Sequence, residues 1–132
     1  MSAALGGVVS KAEIAEVGWT RIESAVASLR GPWYELHFDV FTVPEGGELL
    51  AETSVGPQAF RFGRSLGLQF HPEVDVAHLE MWFNSGDTGR LQAAGIDTVA
   101  MMEDTATNQA DARRRVGDLV DWFLHEIAEL QT

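Results

Sequence analysis

Through the first half of the chain apolar and polar positions tend to alternate, and through the second half apolar positions recur every three or four residues. Alternation is the signature of half-buried strands, and the longer spacing that of amphipathic helices. The first pattern predicts strands at residues 7–9, 15–22, 33–38, 48–53 and 58–62, and a last one at 66–70. The last three are joined by Val55-Gly56-Pro57 and Gly63-Arg64-Ser65, tight links that make an antiparallel meander. After residue 73 the period changes: Val76, Leu79, Trp82 and Phe83 mark a short helix over 74–84 with Asp75 near its start. A brief helical piece follows at 91–95, then a helix over 98–107 capped by Asp97. Val116, Leu119, Val120, Phe123, Ile127 and Leu130 place a final helix over about 110–129. Met101, Met102 and Trp122 read as core residues of this part.

At 132 residues with no linker-like stretch, the chain reads as one domain, with residues 1–85 as its main part and 86–132 as a helical tail. Its net charge of −11 argues against a nucleic-acid partner, whose phosphates such a surface repels. Arg113-Arg114-Arg115 is the only basic cluster, and with Asp111 and Asp118 beside it reads as a solvated helix face carrying local ion pairs. No apolar run is long enough to span a bilayer and the start lacks a basic leader, so the expected location is the cytoplasm, with no membrane partner. There is no cysteine, which removes disulfides, thiolate metal sites and any thiol nucleophile.

The chemistry concentrates at the end of the sixth predicted strand. In Leu66-Gly67-Leu68-Gln69-Phe70-His71-Pro72-Glu73-Val74 an apolar run ends on a histidine, Pro72 stops the ladder, and a glutamate comes two residues after the histidine. In extended backbone residues two apart face the same side, so His71 and Glu73 can meet beyond the strand. A histidine beside a carboxylate is the base and orienter of a nucleophilic triad. In the aromatic strand before it, Trp33, Glu35 and His37 share one side, and His37 leaves by the less apolar face. His78 is assigned to the surface of the first helix, and nothing with suitable spacing completes a metal site around His37 and Asp39.

The stretch Gly67 to Glu73 resembles the histidine/glutamate signature of class I, triad-type glutamine amidotransferases, Gly-Val-Gln-Phe-His-Pro-Glu, with Leu68 in place of valine. His37-Phe38-Asp39 is similar to the His-x-Asp segment beside the glutamine pocket of those proteins, and Glu16-Val17-Gly18-Trp19 to their Glu-x-Gly-Trp. Ser2-Ala3-Ala4-Leu5-Gly6-Gly7 resembles the end of the helix that follows their Gly-x-Cys-x-Gly elbow, and the likeness runs from about residue 3 to residue 82. The resemblance implies an α/β fold: part of an open, flavodoxin-like sheet with an antiparallel meander and a helical tail, similar to the glutaminase part of GMP synthase. It implies His71 as catalytic acid and base, Glu73 as its orienter, and His37 and Asp39 as substrate-binding residues. It implies glutamine as substrate of the complete domain and calls for no cofactor.

The cysteine and its elbow are absent, so the chain by itself is expected to be inactive. Three readings stay open. The chain is the C-terminal half of an amidotransferase; or it is one subunit of a split amidotransferase or γ-glutamyl hydrolase; or it is a non-catalytic interaction module on the same scaffold. The first two expect a cysteine-bearing half as partner, and self-association where that half is missing.

Overall fold

In a computed structural model, which describes residues 1–129, the elements follow one another as the alternating and helical patterns require. A turn of 3-10 helix at Ala3–Leu5 ends on Gly6, whose φ of +91° is the left-handed conformation that glycine adopts without strain. Strand β1 is Val9–Thr20, followed by β2 (Glu23–Ser24) and a 3-10 turn at Ala27–Leu29. Strands β3 (Trp33–Phe41), β4 (Glu48–Glu52), β5 (Pro57–Phe62) and β6 (Ser65–Leu68) complete the β part. Helix α1 is Val76–Trp82, α2 is Thr88–Ala93 and α3 is Thr98–Trp122.

The pairing makes two sheets, β1 with β3 and β2-β4-β5-β6 in that order, and every ladder is antiparallel. They share one isolated bridge, Tyr34 to His71. Residues 7–9 and 15–22, expected as separate strands, run as one: β1 keeps its partner throughout and absorbs the break as a register shift between Lys11 and Glu16. A bulge of this kind lets extra residues loop out while both flanks stay bonded. The last strand is shorter than its apolar run predicts. It ends at Leu68, and His71 is held by the single bridge.

β3 is the spine, because its first residues are buried on both faces. Trp33 faces a cluster of Ile22, Leu29, Ala51, Ala59, Phe70 and Leu119, stacking on Phe70 at 5.1 Å between centroids. Tyr34 faces a second cluster with Val74, Leu79 and Met101. Helix α3 contributes to both clusters, through Leu119 to the first and Met101 to the second. Gly67 is required by this packing: a Cβ there would stand 2.4 Å from the Phe60 ring.

The helical half corrects the expected boundaries. Asp97 caps α3 by accepting from the amides of Val99 and Ala100, as predicted, but the helix then runs unbroken for 25 residues and continues as wider turns over Phe123–Ile127. The break placed between 107 and 110 does not occur. Thr105 and Asn108 are weak helix formers, but Thr105 and Gln109 tie the helix to the body, Thr105 accepting from Trp19 Nε1 at 3.0 Å and Gln109 from the Val76 amide. Leu130, assigned to the same helix by its spacing, lies outside the described residues. Asp75 accepts from the amide of His78, so α1 begins at Val76, and Gly86 at φ +111° kinks the passage into α2.

Candidate functional site

Pro72 and the end of β6 bring His71 and Glu73 together. His71 donates its amide to the Tyr34 carbonyl at 2.8 Å, which pins its backbone to β3. Its ring packs edge-on against Tyr34 and Trp82, with centroids 6.4 and 5.3 Å away. Nδ1 lies 2.8 Å from Glu73 Oε1. A carboxylate only accepts, so Nδ1 carries the hydrogen and Nε2 keeps its lone pair. The hydrogen bond from His71 holds the Glu73 carboxyl below its ordinary range, against the opposing effect of partial burial. His71 is thus an oriented base, with its ring about 30% exposed.

His37 and Asp39 leave β3 on the same side but enter different surroundings. The imidazole of His37 is 10% exposed, with Nδ1 2.9 Å from the Asp39 carbonyl and Nε2 2.9 Å from Glu16 Oε2. The Asp39 carboxylate is half-exposed and pairs with Lys11 Nζ at 2.9 Å. Its carbonyl also accepts from Gln69 Nε2 at 2.9 Å, two residues before His71. Asp39, Gln69, Phe41 and Leu68 line a groove of about 350 Å³ that takes in neither His71 nor Glu73.

Three residues of this region were not singled out as functional by the sequence. Glu16, Glu35 and Gln58 form a buried polar cluster with His37. Glu35 could have been suspected from its place two residues before His37. Glu16 stands in the Glu-x-Gly-Trp resemblance, but its partnership with His37 is not readable there, because only the register of β1 on β3, with Glu16 opposite His37, brings the two together. Burial raises the Glu35 carboxyl above its ordinary range, only partly opposed by His37. Burial also works against protonating His37, but the Glu35 and Glu16 carboxylates and the Asp39 carbonyl outweigh it and hold the imidazole above its ordinary value.

His78 is on the exposed side of α1, bonded through Nδ1 to Asp75 at 2.8 Å. Of the three arginines, Arg113 and Arg114 pair with Asp75 and Asp111 on the surface. Arg115 departs from the solvated-face expectation: its guanidinium lies 5.1 Å from the Trp33 ring and donates to the Pro32 carbonyl. No helix among the described residues is long and apolar enough to cross a membrane.

The architecture has counterparts among solved structures. A glutamine amidotransferase from Thermotoga maritima superposes with a TM-score of 0.80 at 22% identity, over 92% of this chain and 56% of that one. A second glutamine amidotransferase, from Methylobacillus flagellatus, gives 0.76 at 20% identity, over 96% and 58%. A protein from Thermoplasma acidophilum described as a GMP synthase component gives 0.50 at 26% identity, over 55% and 42%. No protein-family model matches the chain, and no curated protein does so with significance. The fold is that of the glutamine amidotransferases. This chain spans somewhat more than half the length of the first two, and that coverage takes in most of the helical part as well as the sheets.

Proposed function

We propose that the chain carries the acid–base half of a Cys-His-Glu triad that hydrolyses the side-chain amide of glutamine, with the thiol supplied from outside these 132 residues. The observation that carries this reading is the 2.8 Å bond from His71 Nδ1 to Glu73, on a chain with the glutamine amidotransferase fold. His71 Nε2 takes the thiol proton, the thiolate attacks the amide carbon, and the imidazolium returns that proton to the departing ammonia. Water then hydrolyses the thioester, with the same nitrogen as base, releasing glutamate. Glu73 fixes the tautomer and steadies the imidazolium. In this reading His37 and Asp39 belong to the glutamine pocket. Asp39, whose carboxylate is half-exposed and paired with Lys11, would meet the substrate, and His37, bonded to the Asp39 carbonyl, would support it.

The absence of cysteine favours a second reading, an interaction module that keeps the scaffold without glutaminase chemistry. One experiment separates the two. The purified chain should release no ammonia from glutamine above background. Adding a polypeptide that carries a matching Gly-x-Cys-x-Gly elbow should restore release, and His71→Ala should abolish it again. Failure of every such half to bind or to restore activity would leave the interaction module as the better reading. Ammonia release by the chain alone, lost in His71→Ala, would show that a different nucleophile operates.

A further inference from the structure

Between β1 and β3 lies a cluster of which the glutaminase reading uses only His37, as a support for Asp39. Glu16, Glu35 and His37 each turn one ligand-type atom to a common point, the three atoms lying within 4.8 Å of one another. All three side chains are at most 10% exposed. It is the one such group of three or more among the described residues.

Two observations say what the cluster lacks. The first is the state of His37. Its Nδ1 donates to the Asp39 carbonyl, so Nε2 is the ring atom that meets both carboxylates: without metal it donates to Glu16 Oε2, 2.9 Å away, with Glu35 Oε2 at 3.3 Å, and a metal ion would take the place of that proton. A backbone carbonyl behind one ring nitrogen is the usual support of a metal-ligating histidine. The second is an excess of acceptors. Glu35 is fully buried, yet Oε1 has no partner among the described residues and Oε2 has only the 3.3 Å approach of His37 Nε2, whose proton goes to Glu16 at shorter range. The one amide donor nearby, Gln58 Nε2, is committed to Glu16 Oε2 at 2.6 Å. A proton on Nε2 can serve one carboxylate well, and the cluster then still holds more acceptors than donors, with Gln58 Oε1 also unpartnered among the described residues. A cation serves all three ligands at once.

We propose that Glu16, Glu35 and His37 bind one divalent transition-metal ion of the zinc class. Two donors each about 2.1 Å from such an ion stand roughly 3.0–3.4 Å apart for angles between square and tetrahedral. The observed 2.9 and 3.3 Å from Nε2 to the two carboxylate oxygens are at that spacing, and the three atoms lie within 4.8 Å of one another. One imidazole and two carboxylates, without thiolate, suit Zn²⁺, Co²⁺, Fe²⁺ or Mn²⁺; Ca²⁺ and Mg²⁺ prefer oxygen shells with more members. Gln58 is the outer partner that orients the Glu16 carboxylate. The ion would clamp β1 to β3 and neutralise two buried carboxylates. None of this depends on the chain acting on glutamine.

The test uses the 132-residue chain freed of metal with a chelator and titrated with Zn²⁺ by calorimetry, in parallel with Co²⁺ followed by visible absorption. The expected result is one equivalent bound, a Co²⁺ spectrum of low coordination number, and paramagnetic shifts of the His37 ring protons. Glu35→Gln, which keeps the volume of the side chain, should weaken binding about tenfold or more, while His78→Gln on the surface should leave it unchanged. Absence of saturable binding overturns the site, as does binding indifferent to Glu35→Gln. Should Glu35→Gln fail to fold, the Co²⁺ shifts in the unaltered chain decide: shifts at His78 or His125 without any at His37 overturn the proposal.

Discussion

At the scale of single residues, the tripeptide His71-Pro72-Glu73 is the most predictable part of the site, since i, i+2 geometry alone puts the two side chains within reach. Its chemistry makes two predictions. Glu73→Gln replaces an obligate acceptor with an amide that can present either end, so the imidazole loses its preference for the Nδ1–H form. Long-range proton–nitrogen spectra should show one tautomer in the parent and a mixture in the variant; one unchanged tautomer in both would remove the orienting role. The Glu73 carboxyl is depressed below its ordinary 4.5, chiefly by the bond from His71. The pair's contribution to stability is therefore present above pH 4.5 and is lost as pH falls through the lower, folded-state value. Carbon-13 titration of the Glu73 carboxyl should give a midpoint below 4.5. The contribution itself is small, because the carboxylate is half in water.

Among the elements, the longer strands and the capped helix starts were legible, while the short strand β2 and the continuity of elements were not. Asp75 and Asp97 announce their helices because a short carboxylate before an apolar period can satisfy the free amides of the first turn. Removing that acceptor with Asp97→Ala should cost α3 about 1 kcal/mol, read as a lower denaturation midpoint at unchanged slope. The run of α3 through Asn108 was not legible, because it is sustained by contacts from β1 and α1 that have no local trace. The same holds for β1, whose two apolar stretches read as separate strands until β3 is known to pair with both. Site residues divide likewise. His71 and Glu73 are neighbours in sequence, whereas Glu16 stands 21 positions from His37 and 42 from Gln58 and meets them only in the folded chain. Leu119 tests the docking of α3: it is 3% exposed and packs in the cluster of Trp33 and Phe70. Leu119→Ala should destabilise the chain by about 2–5 kcal/mol, measured by urea unfolding. A loss below about 1 kcal/mol would mean that the helix is not held on the sheet at this point.

On the scale of the whole molecule, the apolar surface is distributed unevenly. Val8, Val9 and Ile14, at and within the first half of β1, are 62%, 53% and 69% exposed, and β1 has β3 as its one strand partner among the described residues. An exposed apolar strand with an open edge is a template for another chain. The isolated chain should therefore self-associate, and Val9→Lys together with Ile14→Lys should shift it toward monomer in size-exclusion chromatography with light scattering. A monodisperse monomer with a sharp melt before any substitution would count against both the open edge and the need for a complementary half.

The bridge between the two sheets also has a dynamic reading. The amide of His71 is bonded to the carbonyl of Tyr34, and Tyr34 is fully buried, so that proton is shielded from solvent only while the sheets stay joined. Its exchange with deuterium becomes a clock for the parting of the sheets. If they separate as a local event, the His71 amide exchanges sooner than the ladder amides between β5 and β6. If the body opens only as a whole, all of them exchange together. Parting there would free the His71 backbone and expose its amide at the same moment, and a partner chain that holds the sheets together would slow both.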